Sequence, residues 1–409
     1  MIPGLLRRRG AFRWFWAGQT ISLLGDQVTV LAVPLVAVLY LRAGPREMGY
    51  LVAAAWLPYL LFGLPAGAWV DRLGRRRRVM SGADLGRAAL LLTVPLAAAL
   101  HGLTLLQLYV AVFGNGILGA FFQVSSQTLF VSMLEREDYV AGQQLIYGSR
   151  AFSFVAGPSL GGFLVQVLSG PVALVLDATS FLVSAVALGS IRPVEPEPDR
   201  ERRGLLTAGA RFIESSPVLR AGLLATATIN LFNLAYNALF VLYAVRYLHF
   251  QPAVLGTVVG IGAVGGIAGS LVAGRIGRRI GPGPAFMAGC VLFTLPLVLV
   301  PLAGGPSGLV VGMVATAGFF ASFGVMVLDI TWGSITASLI PNRLRARVQG
   351  AYSVVNYGVR PAGSVLGGAL AAVAGVRPTL FVVTLGAVLG VLWLLPSPLP
   401  RMRELPAEG

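Results

Sequence analysis

Long apolar runs separated by short arginine-rich or turn-rich segments recur along the whole chain. They predict helices at 14–40, 47–70, 79–100, 103–131, 140–168, 171–191, 218–247, 253–274, 283–303, 308–337, 345–373 and 376–396. Each run suffices to cross a hydrocarbon core of about 30 Å, which takes roughly 20 helical residues. Several runs are longer, and tilted helices are expected there. Arginine fixes the sidedness. The segments 7–13, 72–78, 192–220, 275–279, 343–347 and 401–403 are Arg-rich, whereas the other side carries Arg42, Arg46, Arg246 and Arg377. Basic loops stay inside, so both termini are expected in the cytoplasm, as an even number of spans requires. The run after Arg7, Arg8, Arg9 and Arg13 is long and has no small-residue cleavage site, so it reads as the first span rather than a signal peptide.

Composition agrees with this pattern. The chain has 409 residues, 56% hydrophobic and 11% charged, against roughly 25% charged in a soluble protein. The net charge of +15 would suit a nucleic-acid partner, but the basic residues follow the span boundaries, so topology accounts for them and no nucleic acid is expected. The single Cys290 and the two histidines, His101 and His249, share no ligand spacing, so neither a disulfide, a metal site nor a cofactor is expected.

One composition break divides the chain. Residues 192–217 begin P-V-E-P-E-P-D-R-E-R-R from Pro193 and continue into an amphipathic piece containing Leu205, Leu206, Phe212 and Ile213. Proline and charge predict a solvated linker, followed by a helix able to lie on a membrane surface. The expected organisation is a six-span bundle at 1–191, a cytoplasmic linker at 192–217 and a second six-span bundle at 218–409. The halves look related. A-G-P-S-L-G-G at 156–162 matches A-G-S-V-L-G-G at 362–368, and V-S-M-L at 131–134 falls on A-S-L-I at 337–340, both 206 residues apart. Matches at equivalent places in both halves point to a duplicated six-helix unit.

The segment between the second and third runs carries G-x-x-x-D-R-x-G-R-R through Gly67, Asp71, Arg72, Gly74, Arg75 and Arg76. A carboxylate at one helix end can meet arginines and the positive end of another helix. Here the chain resembles the major facilitator superfamily, over essentially its whole length. The resemblance implies an all-α membrane fold of two pseudo-symmetric six-helix bundles, with a loop acting as a gate latch and Arg345 or Arg347 as partners. The second copy at 270–279 has Gly274 where the first has Asp71, so an Asp-based latch is expected in one half only. In the fifth run, Gly157, Pro158, Gly161 and Gly162 form a G-P-x-x-G-G core similar to the packing motif of drug/proton antiporters; close helix packing alone also accounts for such glycines. The segments F-R-W-F-W-A-G-Q-T-I-S-L-L-G-D-Q (12–27), A-D-L-G-R-A (83–88) and L-D-A-T-S-F-L (176–182) resemble the bacterial efflux subfamily of macrolide and enterobactin exporters.

Charges inside the spans are the functional candidates, because each costs about 2.5–3.5 kcal/mol at the bilayer centre on insertion scales. Asp26 and Asp329 are the expected proton-coupling carboxylates, with permanent Asp–Arg pairing as the alternative. Arg150 and Arg360 are expected as membrane-buried charge partners. Asp84 and Arg87 read as a structural i, i+3 pair, and Asp177 as structural. In the superfamily fold, helices 1, 4, 7 and 10 line the cavity, which makes Gln27, Gln123, Asn230, Asn233 and Asn237 substrate candidates; interhelical glue is the other reading of the asparagines. The G-I-G-A-V-G at 260–265 lies inside a span and lacks the strand that a dinucleotide site needs.

The sequence thus predicts a non-enzymatic secondary transporter of the bacterial inner membrane, working as a monomer in the lipid bilayer with a small-molecule substrate and protons. The expected activity is proton-antiport export of an amphipathic drug or natural product. Export of a siderophore, movement of a lysophospholipid, and a non-transporting membrane sensor are the alternatives.

Overall fold

Inside hydrocarbon every backbone N–H and C=O must find a partner within the protein, and a helix supplies those partners locally. The apolar runs accordingly form long helices in this computed structural model, which describes residues 4–191 and 206–405. Outside the described residues lie the Pro- and acid-rich stretch of the expected linker and the side chains of Leu64, Ala68, Asp71, Arg136, Leu206, Thr207, Asn342, Arg343 and Ala346. Among the described residues the long helices are α1 (Gly10–Tyr40), α2 (Pro45–Leu73), α3 (Arg76–Ala99), α4 (Leu105–Met133), α5 (Tyr139–Leu168), α6 (Gly170–Gly189), α7 (Pro217–Arg246), α8 (Pro252–Ile280), α9 (Pro282–Leu302), α10 (Ser307–Leu339), α11 (Asn342–Ala374) and α12 (Val376–Leu394). Ten are apolar enough along their length to cross a membrane; α2 and α11, with 29 and 33 residues, match them in length.

The duplication is written into the turns as well as the glycines. Left-handed residues recur 206 or 207 positions apart: Arg42 (φ 52°) and His249 (φ 56°), Gly74 (φ 60°) and Gly281 (φ 93°), Ser169 (φ 84°) and Gly375 (φ 90°). Each pair ends equivalent helices of the two halves. Backbone of this hand is uncommon outside glycine, so its repetition at matched places is a specific signature of a repeated unit.

The chain forms two compact units. The first comprises Met1–Ala43, Ala54–Arg202 and Gln251–Gly256; the second comprises Gly44–Ala53, Arg203–Phe250 and Thr257–Gly409. The first turns of α2 and α8 thus each join the unit that does not hold the rest of their helix.

In the first unit, α6 packs against both α1 and α3, and α1 also crosses α5. Glycines set these distances. A Cβ on Gly18 would stand 3.0 Å from Ala187 Cβ, and one on Gly161 would stand 3.1 Å from Val28 Cα. An apolar core beside the N-terminal segment holds Phe12, Phe15, Met80, Leu129 and Phe130. A short helix, Gly4–Arg8, adds Leu5 and Leu6 to it. Arg9 follows and bridges to Glu135 (2.5 Å) and Asp138 (3.2 Å). These hydrogen bonds, chiefly that to Glu135, hold the Arg9 guanidinium above its ordinary pKa.

In the second unit, α7 packs against α11 and α12, and α9 packs against α10. The amphipathic piece of the expected linker forms a helix, Leu206–Ser215, lying along α11. Gly209 has no room for a side chain there, because the Arg347 carbonyl occupies the place of its Cβ. Ile213 is buried with Val348, Leu219 and Ile340. This apolar face is therefore spent on protein.

Candidate functional site in the first unit

Charge gathers where α1, α3, α4 and α6 meet. Arg87, buried on α3, places Nη2 2.5 Å from Asp26 Oδ1 of α1 and Nη1 4.0 Å from Asp84 Oδ1, one turn back on its own helix. Its Nε donates to Asn115 Oδ1 of α4 at 2.9 Å. Its guanidinium carbon lies 3.9 Å from the ring centroid of Phe181 on α6, a cation–π contact. Asp177 of α6 completes the group. Its carboxylate accepts from Thr29 Oγ1 of α1 and, at 3.0 Å, from Ser180 Oγ.

Gly25 makes this meeting possible. A Cβ there would fall on Ser180 Oγ and Asp177 Oδ1, so only glycine lets α1 approach α6 one residue before Asp26. The cluster contains three carboxylates and one guanidinium. Asp84 and Asp177 are fully buried, while the Asp26 side chain keeps 32% of its surface exposed. Both Asp84 oxygens lack a hydrogen bond, although Ser184 stands beside them. A buried charge is stable only when paired and hydrogen-bonded, and Asp84 has the poorest supply of either.

The structure redraws the expected local pairing. Asp84 and Arg87 share a face, but the short ion pair of Arg87 is with Asp26, 61 residues away. Asp177, expected to be structural, belongs to the same cluster. Asn115, Thr29 and Phe181 carried no sequence signal beyond being ordinary residues of spans. Gln27 lies beside Asp26 and packs its Cβ against Gly157 of α5.

The remaining candidates take varied places. Gly162 faces Pro252 and Gly256 within the first unit, with its Cβ position 2.9 Å from Gly256 Cα. The equivalent contact in the second unit sets Gly368 against Pro45 and Gly49, 3.1 Å from Gly49 Cα. The antiporter-like glycines therefore serve two crossings: Gly157 and Gly161 on α1, Gly162 on the first turns of α8. In the Arg-rich loop, Gly74 turns the chain with its positive φ, Arg72 and Arg75 are exposed, Arg76 is buried, and Gly67 has open space around it. Asp71 lies outside the described side chains. Arg77, absent from the expected motif, donates to the carbonyls of Leu188, Gly189 and Ile191 at the end of α6. A cation there meets the negative helix end. Of the two expected partners of Asp71, Arg345 bonds the Ala337 carbonyl at 3.1 Å.

In the second unit the asparagines divide. Asn230 donates to Asn356 of α11 at 2.8 Å and is interhelical glue. Asn233 and Asn237 bond each other along α7, and Asn237 is exposed. Gln123 of α4 and Asp329 of α10 are exposed as well. Asp329 acts electrostatically on Arg360 of α11, whose guanidinium lies over the Tyr357 ring. Arg150, the other expected charge partner, has an exposed side chain on α5 and lies over the Tyr147 ring at 5.8 Å. Among the described residues it forms no ion pair.

The sequence matches the Major Facilitator Superfamily over residues 15–364. Among characterised relatives, the multidrug efflux pump Tap of Mycolicibacterium fortuitum is 27% identical over 396 residues, 93% of each chain. The pump of the same name from Mycobacterium tuberculosis (strain ATCC 25618 / H37Rv) is 28% identical over 407 residues, 94% of this chain and 92% of its own. Among solved structures, a bacterial homologue of the iron transporter ferroportin in its inward-facing state superposes with a TM-score of 0.77 at 16% identity, covering 96% of this chain and 99% of that one. A bacterial homologue of the human lysosomal transporter Spinster superposes at 0.72 with 14% identity over the whole of both chains. At such identities these likenesses speak for the fold.

Proposed function

Because the chain belongs to the Major Facilitator Superfamily and is a multi-pass membrane transporter rather than an enzyme, we propose that it exports small amphipathic molecules, drugs or natural products, in exchange for protons. The observation that carries this reading is the imbalance at Arg87: one guanidinium pairs with Asp26 and Asp84, and a third carboxylate, Asp177, is buried in the same cluster. A fully ionised cluster would hold two excess negative charges, and low-dielectric surroundings offer nothing to offset them except protons.

Asp26 is the member with access to solvent, so it takes and releases the exchanged proton. While ionised it ties α1 to α3 through Arg87. Once protonated it loses the charge-assisted bond, and Arg87 turns to Asp84 or Asp177. The same helices line the substrate path in this reading, so the loss of one tie biases the bundle between its two openings, as an alternating-access cycle requires. Asp329, with Arg360, is the second carboxylate available to a substrate or proton. Exposed Gln123 and Asn237, with the half-buried Asn233, supply hydrogen bonds, because amides on a membrane helix face water or solute rather than lipid. The Arg-rich loop with Asp71 serves as the gate latch. The home of this machine is the bacterial plasma membrane, with both termini in the cytoplasm.

The test is transport by the purified protein in liposomes. Vesicles loaded with acidic buffer and diluted into alkaline medium should accumulate amphipathic cationic dyes, and a protonophore should abolish the accumulation. Dye movement indifferent to the proton gradient across a broad panel would defeat the antiport reading.

A further inference from the structure

The two halves repeat a feature that only one of them completes. Tyr-Gly-Ser-Arg at 147–150 in α5 and Tyr-Gly-Val-Arg at 357–360 in α11 lie 210 residues apart. The glycine repeat that follows them is 206 apart, and the four-residue slip is about one helical turn, so both arginines keep equivalent faces. Each guanidinium lies over the tyrosine ring three residues before it, at 5.8 Å for Arg150 and 4.9 Å for Arg360. In the second unit Asp329, on the preceding helix, lies within electrostatic reach of that charge. The equivalent of Asp329 in the first half is Gln123, which is exposed and neutral. Arg150 therefore has the aromatic platform of its counterpart without its acid.

A guanidinium does not shed its charge to escape this position, and a charge within a membrane helix calls for a counter-charge or water. We infer that Arg150, on its Tyr147 platform, is a binding point for the anionic group, carboxylate or phosphate, of an amphipathic molecule. The ring accommodates the flat apolar part of such a molecule, and the guanidinium takes the anion in a bidentate fork. The source of the anion is a transported solute or a phospholipid headgroup, which share this chemistry. The inference rests on the export reading for what reaches the site, but binding is measurable without transport, so each reading can fail alone.

The experiment uses the full-length protein in nanodiscs of neutral phosphatidylcholine. Fluorescence polarisation compares a carboxyrhodamine with its methyl ester. The wild-type protein is expected to bind the acid about tenfold more tightly than the ester. Arg150→Gln should bring the acid down to the ester's affinity while leaving the ester unchanged, which also reports an intact fold, and Arg150→Lys should retain part of the preference. Equal binding of acid and ester by the wild type, or a preference that survives Arg150→Gln, overturns the proposal. A second arm adds anionic phosphatidylglycerol to the discs. Weakened acid binding in the wild type assigns the site to lipid headgroups, and unchanged binding assigns it to solutes; both keep the anion site.

Discussion

Removing Arg87 is the perturbation whose size the structure sets most clearly. Arg87→Gln deletes the ion pair with Asp26 at 2.5 Å, the weaker one with Asp84 at 4.0 Å and the cation–π contact with Phe181, and leaves three carboxylates together. Breaking a buried pair from one side costs about 3–5 kcal/mol, since the remaining charge stays desolvated and unanswered. Asp26 is partly exposed and recovers some solvation, so the expected loss lies near the lower figure, about 3 kcal/mol. The double variant Arg87→Gln/Asp26→Asn removes the charge that suffers most. It should regain at least about 1 kcal/mol, a coupling typical of residues in direct contact. Stability in mild detergent, titrated with a denaturing one and followed by tryptophan fluorescence, gives all corners of the cycle. An Arg87→Gln protein as stable as wild type, or effects that simply add in the double variant, would refute the view that these charges form one coupled cluster.

Other consequences are equally specific. Ser169 sits at φ 84° and ψ 157°, where its counterpart is Gly375; Ser169→Gly should raise stability by about 1 kcal/mol and Gly375→Ser should lower it, because this region of backbone is nearly reserved for glycine. Trp332, stacked on Phe286 with ring centroids 4.9 Å apart, fills the space a Cβ on Gly222 would need; Gly222→Ala should cost about 1–3 kcal/mol by overpacking, read in the same titration. Arg77→Ala removes the guanidinium that bonds three carbonyls at the end of α6 and should cost about 1–2 kcal/mol, with faster amide exchange confined to the last turn of α6 as the local sign.

The fold was legible because it rests on long-wavelength properties. Apolar length, arginine placement and the matched glycine segments are each spread over many residues, and the bilayer permits few ways of satisfying such a chain. The charge cluster was legible only in part. Asp26 stands out as an acid within a span, but the sequence pairs Arg87 with its neighbour Asp84, because spacing along one helix is visible in sequence and a crossing between α1 and α3 is not. The longer arginine side chain reaches across to Asp26 more readily than it folds back on its own helix. Asn115 and Thr29 join the site through helix rotation, which no local pattern encodes. Gly25 carries a usable signal, a glycine directly before an acid within a span, whose meaning depends on which helix comes close. The Tyr-Gly-X-Arg repeat was present in the letters, hidden by its slip of one turn against the glycine repeat.

Whether protons pass through the Asp26 cluster is decided most directly by substrate-driven proton movement in liposomes carrying an internal pH dye, comparing wild type with Asp26→Asn. Imposing a gradient of an exported amphipathic dye on the wild type should shift the internal pH, and Asp26→Asn should abolish that shift while still binding the dye. A proton flux that survives in Asp26→Asn, or dye transport with no proton flux in the wild type, would contradict the account.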